Sequence, residues 1–322
     1  MLQFIRISVL IVVAILSQGS LCAESFPTKP IHLIVPFPPG AGTDALARAI
    51  AMRLAESLGQ PVIVENRPGA GATLGSNFVA KAAPDGYTLL ISTTSHAINP
   101  SIYAHLPYDT LKDFATVTQV ASAPTVLLVH QSIPATNLAQ LIAFAKANPG
   151  KLSMSSSGSG TIFHLAGELF KTLAGIDFVH VPYGGGGPAM NALVSGQVSM
   201  LFETTVTALV QVKTGRVRAI AAGSANRIPS LPDLPTIAES GFEGFSATNW
   251  YGIYVPAQTP REIVTKLNAE IVKVLNTQSM KDNFSVQGVE LIGNSPEQHE
   301  QFLKAEMVKW SRVAKQSNAK AD

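Results

Sequence analysis

The chain has 322 residues, enough for two domains. Apolar residues make up 46% and charged residues only 14%, a balance that excludes a disordered chain. The formal charge is +2, with no basic run and no interleaving of basic and aromatic residues, so nucleic acid is not an expected partner.

Residues 1–23 differ from the rest. Arg6 is their only charge, residues 7–16 are apolar apart from Ser8, and a polar segment over 17–20 leads to Ala23. This is the pattern of a secretory signal peptide removed after Ala23, its apolar stretch too short to span a bilayer. A lipoprotein signal at Cys22 is the alternative, which Leu21 fits poorly because a small residue is wanted there. Cleavage after Ala23 leaves no cysteine, hence no disulfide in an exported chain. No later stretch has the length and apolarity of a membrane span.

The stretch 31–48, IHLIVPFPPGAGTDALAR, follows. An apolar run (Ile31, Leu33, Ile34, Val35) meets prolines and glycines, then a row at helical spacing begins with Leu46, Ile50, Leu54 and Leu58. That predicts a strand, a tight loop and a helix. Thr43 or Asp44 is the expected helix cap. A helix start behind a glycine-bearing loop offers backbone N–H groups and a positive dipole end, which suit an anion. The stretch holds no titratable nucleophile. It therefore points to binding something negative without chemistry, or to an ordinary strand-to-helix turn.

A second strand over 61–64 leads into ENRPGAGATLG (65–75) and a helix with Phe78 and Val79. After the turn Pro84-Asp85-Gly86 a third strand covers 87–92, with Thr93-Thr94-Ser95-His96 as its polar end. Alternating strands and helices predict a mostly parallel sheet, with ligands at the carboxyl ends of its strands. The loops after Val35, Val64 and Ser92 should share that rim. An irregular region then precedes a long apolar strand over 121–130.

From Asn137 the alternation restarts: a helix over Leu138–Ala147, a strand over 151–155, the loop SSGSGT (156–161) and a helix with Leu165, Leu169 and Leu173. A strand over 178–182, the loop YGGGGP (183–188), a helix over 189–195 and strands over 198–202 and Val217–Ala222 complete a second α/β unit. In the last third, Thr259-Pro260-Arg261-Glu262 and Ser295-Pro296-Glu297-Gln298 each predict a capping box with proline at the first helical position. Behind them Leu267 and Ile271, and Leu303 and Trp310, mark packing helices.

Gly69-x-Gly71-x-x-x-Gly75 is one residue too long for a dinucleotide fingerprint and lacks the ribose-binding acid, so a turn with close helix packing is the reading. Gly158-Ser159-Gly160 does not match the G-x-S-x-G elbow, because Ser157 stands where its first glycine belongs. His164 and Glu168 share a helix face as a possible metal pair, but nothing else has ligand spacing. His32, His96, His105, His130, His180 and His299 do not cluster in sequence. Asp44 is either a cap or a ligand contact, and Tyr183 either a packed ring or a ligand wall. Two glycine-rich helix starts, one in each unit, describe a cleft that presents N–H donors from both sides to one small anion. With an export signal and no catalytic constellation, the class is an exported small-molecule receptor.

In order along the chain stand VPFPPG (35–40) with Asp44, ENRPGAG (65–71), PDGYT (84–88), SSGSGT (156–161) with His164 and Leu165, HVPY (180–183), LPDLPT (231–236), WYG (250–252) and PAQTP (256–260). Together, over about residues 26–315, these resemble the Bug (Bordetella uptake gene) family of periplasmic solute receptors of tripartite tricarboxylate transporters. The resemblance implies an α/β, two-lobe periplasmic-binding-protein type II fold, its ligand cleft between lobes joined by crossing strands near 123–130 and 248–255. Lobe one is then 26–125 with 252–322, and lobe two is 126–251. It implies a monomeric periplasmic receptor with no cofactor, metal or catalytic residue, whose partners are a small carboxylate and the transporter's membrane components.

Matched motif by motif, the implied lobe-one contacts are Phe37, Gly40, Gly42, Thr43 and Asp44, with Thr93, Thr94 and Ser95 on the next rim. Lobe two offers Ser157, Ser159, Gly160, Thr161, His164, Tyr183, Gly184, Gly185 and Glu203. Glu203 stands where the family often has aspartate, Ala41 where a second glycine is usual, and Gly184 where lysine is common. The tail after Lys315 departs from the pattern and is expected to be disordered or variable. Two other function classes stand beside the receptor: an exported enzyme acting on a small acid through Ser159 and His164, and a ligand-sensing partner of a signalling protein.

Overall fold

The computed structural model describes residues 26–321. The leader expected over 1–23, with Cys22, lies outside the described residues. Among the described residues, no helix is long and apolar enough to cross a membrane.

Strands β1 (Ile31–Val35), β2 (Val62–Asn66) and β3 (Thr88–Thr93) run parallel in the order β2-β1-β3. Helices α1 (Gly42–Leu58), α2 (Thr73–Ala80) and α3 (Ser95–Ile102) follow them in turn. The 17-residue strand β4 (Phe114–His130) then joins two lobes. Through Pro124 it pairs with β9 (Thr248–Pro256), which also lies antiparallel to β3. From Thr125 onward β4 pairs instead with β7 (Met200–Thr204) and β8 (Val217–Ala222). The exchange falls at a proline, which has no N–H to give a ladder. In the second lobe β5 (Ser153–Ser156) lies parallel to β7 and to β6 (Val179–Pro182). Its helices are α4 (Leu138–Ala147), α5 (Ile162–Ala174), α6 (Gly186–Val194) and α7 (Thr205–Lys213). The chain closes with α8 (Arg261–Leu275), α9 (Gln278–Ser285), the short β10 (Glu290–Leu291) paired to β4, and α10 (Pro296–Ser317).

The periodic apolar residues are the core. Leu46, Ile50 and Leu54 on α1 join Leu267 and Ile271 on α8 against Leu33, Leu89 and Ile253. Each is at most 2% exposed, and each such side chain contributes about 1.5–3 kcal/mol. On the other face, Leu303 and Trp310 of α10 pack in one cluster with Leu90 of the first lobe and Phe170 and Phe202 of the second. The C-terminal helix therefore ties both lobes together.

Several expectations need correction. β4 begins at Phe114, not 121, because Thr118 and Gln119 are buried by pairing with β9 and by bonds to Asn294. Ser95 and His96 open α3 rather than ending a strand. At α8 the N-cap is Pro260 with no side-chain bond, since the Thr259 hydroxyl donates to the Pro256 carbonyl instead. The capping box at Ser295 and Gln298 does form. The tail is ordered beyond Lys315: α10 runs to Ser317, and the Ala321 N–H donates to the Ile102 carbonyl at 3.1 Å. Gly75 lies on α2, where a Cβ would meet Pro36 Cβ at 2.8 Å and the Arg67 carbonyl at 2.9 Å, the close packing expected of it.

Candidate functional site

The loop after β1 is built around Asp44. Its Oδ2 accepts the Gly40 N–H and the Arg48 Nε–H, each at 3.0 Å, and its Oδ1 accepts from Asn66 Nδ2 at 2.9 Å. Asn66 also donates to the Phe37 carbonyl at 3.0 Å. Burial pushes the Asp44 carboxyl up, but the bonds from Arg48, Gly40 and Asn66 outweigh it and hold the pKa below the ordinary value. Neither Thr43 nor Asp44 is the N-cap of α1. That position is Ala41, which has no capping side chain. Asp44 is a strut of the loop and does not line the cavity beside it.

That cavity, about 90 Å³, lies between the lobes. Four helix starts meet there: Gly42 and Thr43 of α1, Ile162 and Phe163 of α5, Gly186 and Gly187 of α6, and Thr204 and Thr207 at the head of α7. None of the four carries a side-chain cap; α2, α3, α8 and α9 lack one as well, and what sets these four apart is that they start at one cavity. First-turn N–H groups have no partner inside their own helix, and the helix dipole places positive potential among them. An anion in the cavity satisfies both. Hydroxyls of Thr43, Ser95 and Ser157 add donors, while the Thr161 hydroxyl donates to the Gly158 carbonyl at 2.8 Å and that of Thr93 to Ser95 at 3.3 Å. Phe37, Phe163 and Tyr251 supply apolar wall, and no lysine, arginine or histidine lines the space.

Glu203 ends β7 beside this cavity and is 3% exposed. Its Oε1 accepts the Thr204 N–H at 2.8 Å and the Thr204 hydroxyl at 3.2 Å. Its Oε2 makes no hydrogen bond of ordinary geometry among the described residues and faces Gly186, where a Cβ would stand 3.0 Å away. The Thr207 side chain is a further hydrogen-bonding neighbour of the carboxyl. Burial pushes the carboxyl up to about 7.

Of the residues expected to bind ligand, Phe37, Gly40, Gly42, Thr43, Thr93, Ser95, Ser157, Thr161 and Glu203 line the cavity. Thr94, Asp44, Ser159, Gly160, His164, Tyr183, Gly184 and Gly185 do not. The Thr94 hydroxyl donates to Asn249 Oδ1 at 3.2 Å and accepts the Trp250 N–H at 3.1 Å, locking β9 beside β3. Ser159, Tyr183 and Gly184 line an outer cavity of about 310 Å³, which adjoins the inner one at Phe37 and Ser157. Gly185 precedes α6 and lies against Pro38 of the other lobe, where a Cβ would stand 3.1 Å from Cγ. Gly160 lies against Asn99 in the same way.

His164 is buried. Its Nδ1 accepts the Gly160 N–H at 3.4 Å, its Nε2 is 4.0 Å from Glu168, and its ring stacks on His180 at 4.1 Å. Burial and the neighbouring His180 push its pKa down to about 3. It supports the 156–161 loop, and among the described residues no hydrogen bond joins it to Ser159. Nor do the described residues contain a group of three or more His, Cys, Asp or Glu able to hold a metal.

The cavity also draws on Ala41, Ile162, Phe163, Gly186, Gly187, Thr204, Thr207, Asn249 and Tyr251, which sequence reasoning missed. Gly186 and Gly187 lay in a run already singled out. Asn249 and Tyr251 share one face of a crossing strand by the two-residue period, a signal usable once that strand is placed at the cleft.

A two-lobed α/β protein with a mixed sheet, a crossing strand and a cleft between its lobes is a solute-binding protein of the periplasmic kind. Residues 46–319 match the model of the tripartite tricarboxylate transporter family receptor, TctC, and the chain belongs to that family. Rpa4515 of R. palustris, solved with adipate, is 37% identical with a TM-score of 0.88, over 92% of this chain and 99% of that one. The periplasmic binding protein BugD is 33% identical with a TM-score of 0.87, over 92% and 99%. MatC of Rhodopseudomonas palustris, with bound malate, is 32% identical with a TM-score of 0.85, over 89% and 99%.

Proposed function

We propose that this protein is exported through a leader cleaved near Ala23 and captures a small carboxylate in the periplasm. It closes its lobes on the acid and delivers it to the membrane components of a tripartite tricarboxylate transporter. The observation that carries this reading is the meeting of four uncapped helix starts at one cavity without a cation. Such a site holds one carboxylate by N–H groups and hydroxyls, and the low-dielectric surroundings strengthen those bonds. The inner cavity receives the carboxylate, while the outer cavity at Ser159, Tyr183 and Gly184 takes the rest of the molecule. Adipate in Rpa4515 and malate in MatC support the ligand class. The change of β4 partner between Pro124 and Thr125 supports a lobe boundary there, and the pairing of β9 favours a return near Thr248.

Thermal unfolding of the mature protein against mono-, di- and tricarboxylates, with the amides as controls, tests the reading. An acid at about 100 times its dissociation constant adds about 2.7 kcal/mol, a shift of several degrees. A shift with an acid and none with its amide is expected. No shift across the panel, for folded protein whose denatured supernatant carries no small acid by mass spectrometry, overturns it.

A further inference from the structure

We infer that Glu203 enters the closed cleft as a neutral acid and donates its Oε2 proton to the carboxylate captured there, so that the two carboxyl groups hold one proton between them. This rests on the carboxylate-receptor reading above and adds a proton to it. The division of labour is visible in the side chain. Oε1 accepts two bonds from Thr204, as a carbonyl oxygen does, while buried Oε2 makes no hydrogen bond of ordinary geometry among the described residues. Oε2 faces the start of α6, where the cavity gathers its N–H donors.

An ionised Glu203 beside a bound anion would place two like charges in about 90 Å³ with no lysine, arginine or histidine in the wall. The other titratable group facing it is the Tyr251 phenol of β9, which burial keeps protonated. From the starts of α5, α6 and α7 the lining groups are Thr161, Ile162, Phe163, Gly186, Gly187, Thr204 and Thr207, all uncharged. The Thr204 and Thr207 bonds to Glu203 favour its charged form, and burial outweighs them. The proton balance is simple. The acid arrives as an anion and Glu203 supplies the hydrogen. Where Glu203 is ionised beforehand, one proton comes from solvent on binding. Glu203's desolvated carboxyl, already raised to about 7, is prepared for this.

Calorimetric titration with succinate, malate, adipate and benzoate between pH 5.5 and 8.5, in buffers of different ionisation enthalpy, tests the inference. For the acids that bind, the dissociation constant should rise about tenfold per pH unit above 7, with up to one proton taken up. Glu203→Gln keeps a donor at the Oε2 position and an acceptor for Thr204. It should abolish the pH dependence while holding affinity at pH 6 within about fivefold, the value of one altered hydrogen bond. Glu203→Ala should lose binding. Affinity that is flat with pH in the wild type, or that strengthens as pH rises and vanishes in Glu203→Gln, overturns the proton and leaves the receptor standing. Failure of every acid to bind folded, ligand-free wild type overturns both.

Discussion

Gly160 of the second lobe lies directly against Asn99 of the first: a Cβ at Gly160 would stand 2.7 Å from Asn99 Oδ1 and 2.9 Å from Ile102 Cδ1. The lobes are in contact here, so a methyl group at Gly160 forces the Asn99 and Ile102 side chains to move before the lobes can meet as they do now. Gly160→Ala should weaken binding of a carboxylate at least tenfold, as about 1.4 kcal/mol or more of clash acts on the closed form alone. Gly175→Ala is the control. Its φ is +58°, but no atom lies within 4 Å of the added carbon. Alanine at either left-handed position costs about 1–2 kcal/mol of stability. Only Gly160→Ala should leave the acid-saturated protein open in small-angle scattering, and a closed Gly160→Ala complex refutes the relation.

Asp44 gathers the Gly40 N–H, Arg48 and Asn66 around one buried carboxylate. Asp44→Asn keeps the shape and removes the charge. Bonds to a charged group are worth about 1.5–3 kcal/mol, and a loss in that range is expected in urea unfolding. Affinity for the acid should fall as well, because the loop that presents Gly42 and Thr43 loosens. A variant that loses stability but binds unchanged would uncouple the strut from the site.

Acid should unfold the protein early. His96, His164 and His299 are at most 4% exposed and burial pushes each to about 3, so the unfolded chain binds their protons first. Their contribution is intact above the unfolded value near 6.5 and is lost as pH falls toward 3, by about 1.4 kcal/mol per pH unit for each ring. Glu203 has the opposite sign. Its raised pKa favours the folded state below about 4.5, and that advantage is lost as pH rises through 7. The three rings outweigh it. Urea unfolding from pH 7.5 to 5 should show steadily falling stability, with a shallower slope in His299→Gln. A flat profile contradicts the burial of neutral rings.

One carboxylate oxygen serves both tryptophans. Glu306 Oε2 accepts the indole N–H of Trp250 on β9 and of Trp310 on α10, each at 2.9 Å. Glu306→Ala strands two buried donors and should cost about 3 kcal/mol or more. The chain has only these two tryptophans, so their emission reports the change directly. Unaltered emission with unaltered stability would show that the bridge is not formed in solution.

Periodicity and punctuation made much of the fold legible. Leu138–Ala147 and Val217–Ala222 match the expected bounds because apolar spacing and an Asn137 cap act locally. What stayed hidden depends on partners far along the chain. Thr118 looks like loop until Asn294 accepts its hydroxyl, and Thr259 looks like a cap until the Pro256 carbonyl takes its bond. In the site, the glycine loops announced themselves as helix starts. Ser159 and Tyr183, in the glycine loops, line the outer cavity, and His164 on α5 supports the loop before it, a division that spacing alone does not resolve. Asn249 and Tyr251 enter only because β9 crosses behind the cleft.

The structure of the protein crystallised with the acid that most raises its melting temperature shows where the carboxylate sits. One carboxylate should occupy the inner cavity, with its oxygens on the N–H groups of Gly42 or Thr43, Phe163 and Gly187, and with Glu203 Oε2 in hydrogen-bond contact. An acid seated elsewhere, or held in the inner cavity by its apolar end with the carboxylate in solvent, would show that the four helix starts do not form the anion site.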